Sequence, residues 1–289
     1  LFRGTLVHAV LEDLFKKQFR NFTAWEKGDP AVWMEEQFQE RWAKDIDSKT
    51  WLSELHTADE MAAMKLETQE LLQNFVGSVN KKLNEMVTWK IYKSKWQAWN
   101  SVAPKYAEKW VKSKDYAVIG IVDAVCSDFD GGTTLLDYKT SKRYGPYLPE
   151  DYYRQLIIYA FLYTLEMGEM PNFVGVSYLR FDDTFYVKVN QSVLDEAKEV
   201  IMYVHDCLKE RMKDEDKYEQ KPQNLCKWCS FYVGNGGPCD VQLPKWKPKG
   251  KSYTKKSNVK AVNAIIDDDI VDNLPQEGEG EKNTVWPED

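Results

Sequence analysis

The sequence predicts an α/β (α+β) protein: a mixed central β-sheet flanked by helices, with a helical insertion ahead of the sheet. Two observations carry that prediction. The apolar run "YAVIGIVDAV" (116–125), the glycine-bearing turn "SDFDGG" and the returning run "TTLLDYK" (133–139) form a β-hairpin signature. Around it the segments follow the order helix, sheet, helix, strands, helix, which suits one layered core.

Each element has its own justification. Residues 1–19, "LFRGTLVHAVLEDLFKKQF", set apolar residues at helical spacing and end in basic residues, an amphipathic helix. Because the text opens on Leu1 inside this helix, further residues are expected upstream. Residues 31–100 are rich in Trp, Glu, Gln, Lys and Met with few breakers before Pro104, and predict several helices, an insertion over about 25–100. "YAEKWV" (106–111) alternates like a strand. A helix is expected over about 149–167, closed by Gly168 and Pro171. "NFVGVSYLRF" and "TFYVKV" make a second hairpin around Asp182 and Asp183. "SVLDEAKEVIMYVHDCLKERM" is a further amphipathic helix with Ser192 as its cap. The expected core domain is 1–243, with a cysteine-bearing segment at 226–239. Residues 244–289 read as a flexible tail, lysine-rich and then acidic.

A net charge of −7 argues against a polyanion as partner until its distribution is examined. Residues 261–289 hold nine acids and one lysine, a charge of −8, so the rest of the chain is close to neutral. Nucleic acid is therefore not excluded. No run of 18 apolar residues exists, so no membrane span is expected. Five irregularly spaced cysteines suit a reduced chain in the cytoplasm, or in the host cytoplasm if the chain is phage-encoded.

The candidate chemistry starts at the hairpin. Asp137 and Lys139 lie two apart, on one strand face with Leu135. Asp123 closes the buried run of the other strand and is read as sharing a face with Ile119, Ile121 and Val125. A register that sets Asp123 beside Asp137 leaves two buried carboxylates that repel unless a divalent cation joins them. His8 on the opening helix offers an imidazole, which Mn²⁺ accepts, and the Tyr138 carbonyl offers another oxygen. Lys139 beside an activated water helps remove its proton or holds the attacked phosphate. Gln155 and Tyr159, four apart on one helix face, suit hydrogen bonds to a phosphate or ribose. Arg154, Lys142 and Arg143 are candidates for phosphate contacts. The structural alternative is a helix-surface His8, a turn-forming Asp123 and an Asp137–Lys139 ion pair. Buried ion pairs contribute little stability, so their retention favours use.

Taken in order, "GTLVHAVLE", "GIVD", "DYK" and "QLIIY" resemble the PD-(D/E)XK nuclease superfamily, and within it the RecB-like branch that includes the CRISPR-adaptation nucleases. The resemblance covers about residues 3–163. It implies a restriction-endonuclease-like core and a DNA nuclease dependent on Mg²⁺ or Mn²⁺. His8, Asp123 and Asp137 would be ligands, Asp123, Asp137 and Lys139 the catalytic set, and Gln155 and Tyr159 the DNA contacts, to which the residues themselves add Arg154. Asp137 stands where many members carry glutamate, and either carboxylate serves. Some relatives also have a glutamate at the place of Glu108. The implied activity is exonucleolytic, in DNA recombination, repair or processing. The alternative is a non-catalytic subunit that binds DNA ends in a recombination or integration complex.

Three further readings complete the sequence. Relatives in that branch bind a 4Fe-4S cluster with three cysteines after the core and one before it. Cys226, Cys229 and Cys239 are the candidates here, with a fourth expected upstream of Leu1. Zinc and bare thiols remain alternatives, because the nine-residue gap after Cys229 is longer than usual. Lysines interleave with aromatics in "WKIYKSKWQAWNSVAPKYAEKW", which suits either single-stranded DNA or a helix pair with its tryptophans packed inward, the latter being preferred. The acidic tail suits docking of a helicase or single-strand-binding protein, or mimicry of DNA over the active site.

Overall fold

The computed structural model describes residues 2–16, 30–48, 56–127, 131–141, 145–213 and 222–242. The described helices and strands are α1 (Phe2–Lys16), α2 (Pro30–Ser48), α3 (Ala58–Thr88), α4 (Lys95–Val102), β1 (Tyr106–Ser113), β2 (Val118–Ser127), β3 (Thr133–Lys139), α5 (Glu150–Met167), β4 (Phe173–Tyr178), β5 (Asp183–Lys188) and α6 (Gln191–Met212). Both expected hairpins form. The five strands lie in sequence order, antiparallel except for β3 beside β4, which α5 joins as a crossover.

Local chemistry sets the element ends. Thr57 and Glu60 form a reciprocal capping box that starts α3, and Ser94 caps α4. Gly168, at φ 74°, closes α5 in the left-handed conformation that glycine adopts without strain. Two details differ from expectation. Tyr116 and Ala117 belong to the β1–β2 turn, with Ala117 at φ 46°, so β2 starts later. Asn190, rather than Ser192, accepts the Val193 N–H, because the helix already includes Ser192.

Helix α1 is the hub of the core. Leu6, Val7, Val10, Leu11 and Leu14 pack with Met34 and Phe38 of α2, Leu71, Leu72 and Val76 of α3, and Ala124 and Tyr138 of the sheet. The insertion helices thus complete the core on this side. Glu67 of α3 pairs with Arg3 of α1 and lies 3.6 Å from Arg180. The tryptophans do not all turn inward as preferred above. Trp99 is 2% exposed, whereas Trp89 and Trp110 are 62% and 57% exposed.

The described chain divides into two compact units, the boundary falling between Ala197 and Lys198 within α6. In the second unit the cysteine segment forms two 3₁₀ turns, Asn224–Trp228 and Val233–Asn235. Cys229 N–H donates to the Cys226 carbonyl at 3.0 Å, and Cys239 N–H to the Phe231 carbonyl at 2.6 Å. Lys142, Arg143 and the tail from 244 lie outside the described residues. No described helix is long and apolar enough to cross a membrane.

Candidate active site

The site is a fork in the sheet. Pairing of β2 with β3 runs from Ser127 against Thr133 to Ala124 against Leu136 and stops there. One step further, the same register would oppose Asp123 and Asp137. In place of a ladder bond, Asp123 Oδ2 accepts the Tyr138 N–H at 2.6 Å. Both carboxylates are buried, 8% and 3% exposed. The His8 ring enters this fork from α1. Its Nε2 lies 3.0 Å from the Tyr138 carbonyl oxygen, and its Nδ1 lies 3.2 Å from Asp123 Oδ1 and 3.8 Å from Glu108 Oε1. Both ring nitrogens face acceptors, so the imidazolium form satisfies the site best. Burial is the largest influence on His8 and lowers its pKa, but Asp123 and Glu108 together override it and carry it to about 10.

Glu108 reaches the cluster through an unusual backbone. It sits at φ 49° inside β1, and the β1–β2 pairing skips Glu108 and Asp123 while holding register on either side. A left-handed non-glycine residue within a strand is strained, and such strain concentrates at functional sites. Among the described residues, His8, Glu108 and Asp123 are the group whose ligand atoms lie within 4.8 Å of one another. The three cysteines form no such group.

Asp137 faces a second set of partners. Lys139 Nζ lies 2.6 Å from its Oδ2, and Gln155 Nε2 donates to its Oδ1 at 2.9 Å. Lys139 also donates to Gln155 Oε1 at 3.0 Å and sits 4.6 Å from the Tyr152 ring centre. Gln155 Nε2 reaches the Tyr159 hydroxyl at 2.8 Å. The Tyr159 ring lies so close to β2 that a Cβ on Gly120 would meet its Cε1 at 2.9 Å, which gives the glycine of "GIVD" a packing reason. The Lys139 ammonium is the charge partner of the buried Asp137 Oδ2.

The fork therefore gathers His8, Asp123 and the Tyr138 carbonyl. Asp137, Lys139, Gln155 and Tyr159 form an adjoining hydrogen-bonded chain. Arg154 stands apart, exposed and paired with Glu150 on its own helix. The sequence reading overlooked Tyr152, whose signal was its place three residues before Gln155 on the same helix. It also overlooked Arg3, which directly precedes the "GTLVHAVLE" run and donates to the Thr140 carbonyl at 3.0 Å.

The sequence profile of the PD-(D/E)XK nuclease superfamily matches residues 2–233, a span that includes every residue of the fork. A crystal structure of a "Putative exonuclease" from Eubacterium rectale is similar at 14% identity, over 69% of this chain and 79% of that one, with a TM-score of 0.36. No curated protein matches the chain.

Proposed function

We propose that this chain, which belongs to the PD-(D/E)XK nuclease superfamily, is a divalent-metal-dependent DNA nuclease of the RecB-like branch that degrades DNA from an end. The observation that carries the reading is the convergence of His8, Glu108 and Asp123 beside the Asp137–Lys139 pair. The donor set fits Mg²⁺ or Mn²⁺: carboxylate and carbonyl oxygens with one imidazole. His8, Glu108, Asp123 and the Tyr138 carbonyl would hold the cation, with Asp137 at its margin. When bound, the cation polarises the phosphate and the attacking water and offsets the charge that develops between them.

The protein's own groups divide the remaining work. Lys139, fixed by Asp137 and Gln155, places a positive charge where the phosphorane-like transition state gathers negative charge. Gln155 keeps that lysine oriented, and Tyr159 orients Gln155. Hydrolysis adds water across the P–O ester bond, and the departing ribose oxygen takes up a proton. Asp123 accepts the Tyr138 N–H and so ties β2 to β3 where their ladder ends.

The deciding assay uses end-labelled single- and double-stranded DNA and closed circles, each with Mg²⁺ or Mn²⁺. Linear DNA is expected to shorten from its ends while circles stay intact. Cutting of circles would replace the exonuclease reading with an endonuclease. Absence of cutting, or cutting undiminished by Asp137→Ala or Lys139→Ala, would remove the site assignment.

We also propose that Cys226, Cys229 and Cys239 bind an iron–sulfur cluster. Their support is three thiols within one tightly hydrogen-bonded segment. Iron and acid-labile sulfide analysis of anaerobically purified protein tests it. Zinc in place of iron, or no metal at all, rejects it.

A further inference from the structure

We propose that the free edge of the sheet, strand β1, is a single-strand track that feeds the metal site. This rests on the nuclease reading and adds the substrate's strandedness and the surface that selects it. β1 is a terminal strand, with no strand on its outer side among the described residues. Along it runs an open groove of about 530 Å³ lined by Lys105, Tyr106, Glu108, Lys109, Trp110 and Lys112 among others. Tyr106 and Trp110 expose 45% and 57% of their surface. Among the described residues no ion pair within 4 Å holds the Lys105 ammonium, while Lys112 lies in the field of Glu166. Lys109 is held by Glu166 at 3.0 Å and lies 5.5 Å from the Tyr106 ring centre.

Charge and shape identify the occupant. Aromatic faces alternating with lysines bind unpaired bases by stacking and the backbone by charge. A duplex offers only its outer phosphates to such a surface, because its base faces already stack on one another. Continuity with the chemistry is supplied by Glu108. It lines the groove between Tyr106 and Trp110, and it is one of the three residues of the ligand group. Its left-handed backbone lets one residue serve both places, with its neighbours remaining on the exposed strand. A strand stacked on Tyr106 and Trp110 therefore passes the carboxylates where a phosphate would react. The carboxylate of Glu166 takes both the Lys109 ammonium and the Lys112 amide, which fixes β1 to α5 and stops another chain pairing at that amide.

The test is binding of fluorescein-labelled oligothymidylate and of a blunt duplex of equal length. Anisotropy is read in Ca²⁺ on the full chain carrying Asp137→Asn, so that no cutting intervenes. Trp110→Ala should weaken oligothymidylate binding about ten-fold, while Trp110→Phe retains it and duplex affinity stays within about two-fold. Lys105→Ala with Lys112→Ala should reduce the salt dependence of single-strand binding by about one to two units of slope. Trp89→Ala, an equally exposed ring off the groove, should change neither ligand. Equal losses for single strand and duplex, or no loss with Trp110→Ala in a variant of unchanged melting temperature, would overturn the track. Cleavage by the unsubstituted chain in Mg²⁺ is scored separately. An inert protein that still binds single strands through Trp110 loses the nuclease reading and keeps the track. A cutting protein whose Kd and KM ignore Trp110 loses the track and keeps the nuclease reading.

Discussion

Burial, and after it the neighbouring Asp123, push the Asp137 carboxyl up to about 6, although Lys139 and His8 pull the other way. An acid whose folded pKa exceeds its unfolded value holds its proton more tightly when folded. Its contribution is therefore most favourable at low pH and is lost as pH rises from 3.8 through about 6. At pH 7.5 the ionised group destabilises the metal-free fold, and a cation relieves it. Asp137→Asn should raise the metal-free melting temperature, by about 2–4 °C for each kcal/mol relieved. It should also cut cleavage by about 10²–10³. Saturating Mg²⁺ should stabilise the unsubstituted chain more than the variant. A lower metal-free melting temperature in the variant would contradict this account. His8 has the opposite chemistry in a higher window. Its folded pKa of about 10 exceeds 6.5, so its contribution is full below pH 6.5 and is lost as pH climbs to about 10. The urea midpoint of the metal-free protein should fall across that window, and His8→Gln should flatten the fall. Because a cation must replace the imidazolium proton, Mn²⁺ binding should tighten as pH rises and release about one proton. Calorimetry in two buffers of different ionisation enthalpy measures that number.

At the scale of elements, the spacing between β2 and α5 decides whether the Asp137–Lys139–Gln155–Tyr159 chain holds. Gly120→Ala places a methyl 2.9 Å from the Tyr159 ring, and the ring must move. Overpacking of this kind costs about 1–3 kcal/mol. It should lower kcat through Lys139 more than it raises KM, and urea denaturation with steady-state kinetics on linear DNA would show both effects. A kcat unchanged in the presence of the lost stability would mean that Tyr159 does not orient the site. The sequence made much of this legible. "TTLLDYK" matches β3 at both ends, and the hairpin register that brings Asp123 toward Asp137 follows from two apolar runs and a glycine turn. Alternation failed nearby, and for a physical reason. Period two puts Gly120 and Ala124 on one face, yet Gly120 packs against Tyr159 of α5 while Ala124 belongs to the core around α1. The expected shared face of Ile119, Asp123 and Val125 breaks in the same place: Ile119 is exposed and Val125 fully buried. The interruption sits where pairing skips Glu108 and Asp123. Nothing in a glutamate between Ala107 and Lys109 announces a left-handed backbone.

For the whole molecule, the helix order and the sheet class were readable because amphipathic period and turn chemistry are local. The division at Ala197 was not, because it falls within the continuous apolar pattern of α6. Charge acts at the longest range. The chain carries −7, of which residues 261–289 contribute −8, so a polyanionic substrate meets a repulsive tail attached to a nearly neutral body. Repulsion between exposed charges lowers the association rate and is screened over about 10 Å at 0.1 M salt. Deleting residues 261–289 should therefore raise kcat/KM on linear DNA several-fold at about 0.02 M salt, where screening reaches only a few tens of ångströms. The gain should vanish near 0.3 M salt, and kcat at saturating DNA should not change. A tail that lies over the active site as a DNA mimic would instead raise activity at both salt concentrations and make the isolated acidic peptide an inhibitor of the truncated protein. A tail that only docks a helicase or single-strand-binding protein would leave the kinetics of the isolated nuclease alone at every salt concentration. That last result would remove the electrostatic account, the seven lysines of residues 244–260 then offsetting the acids that follow them.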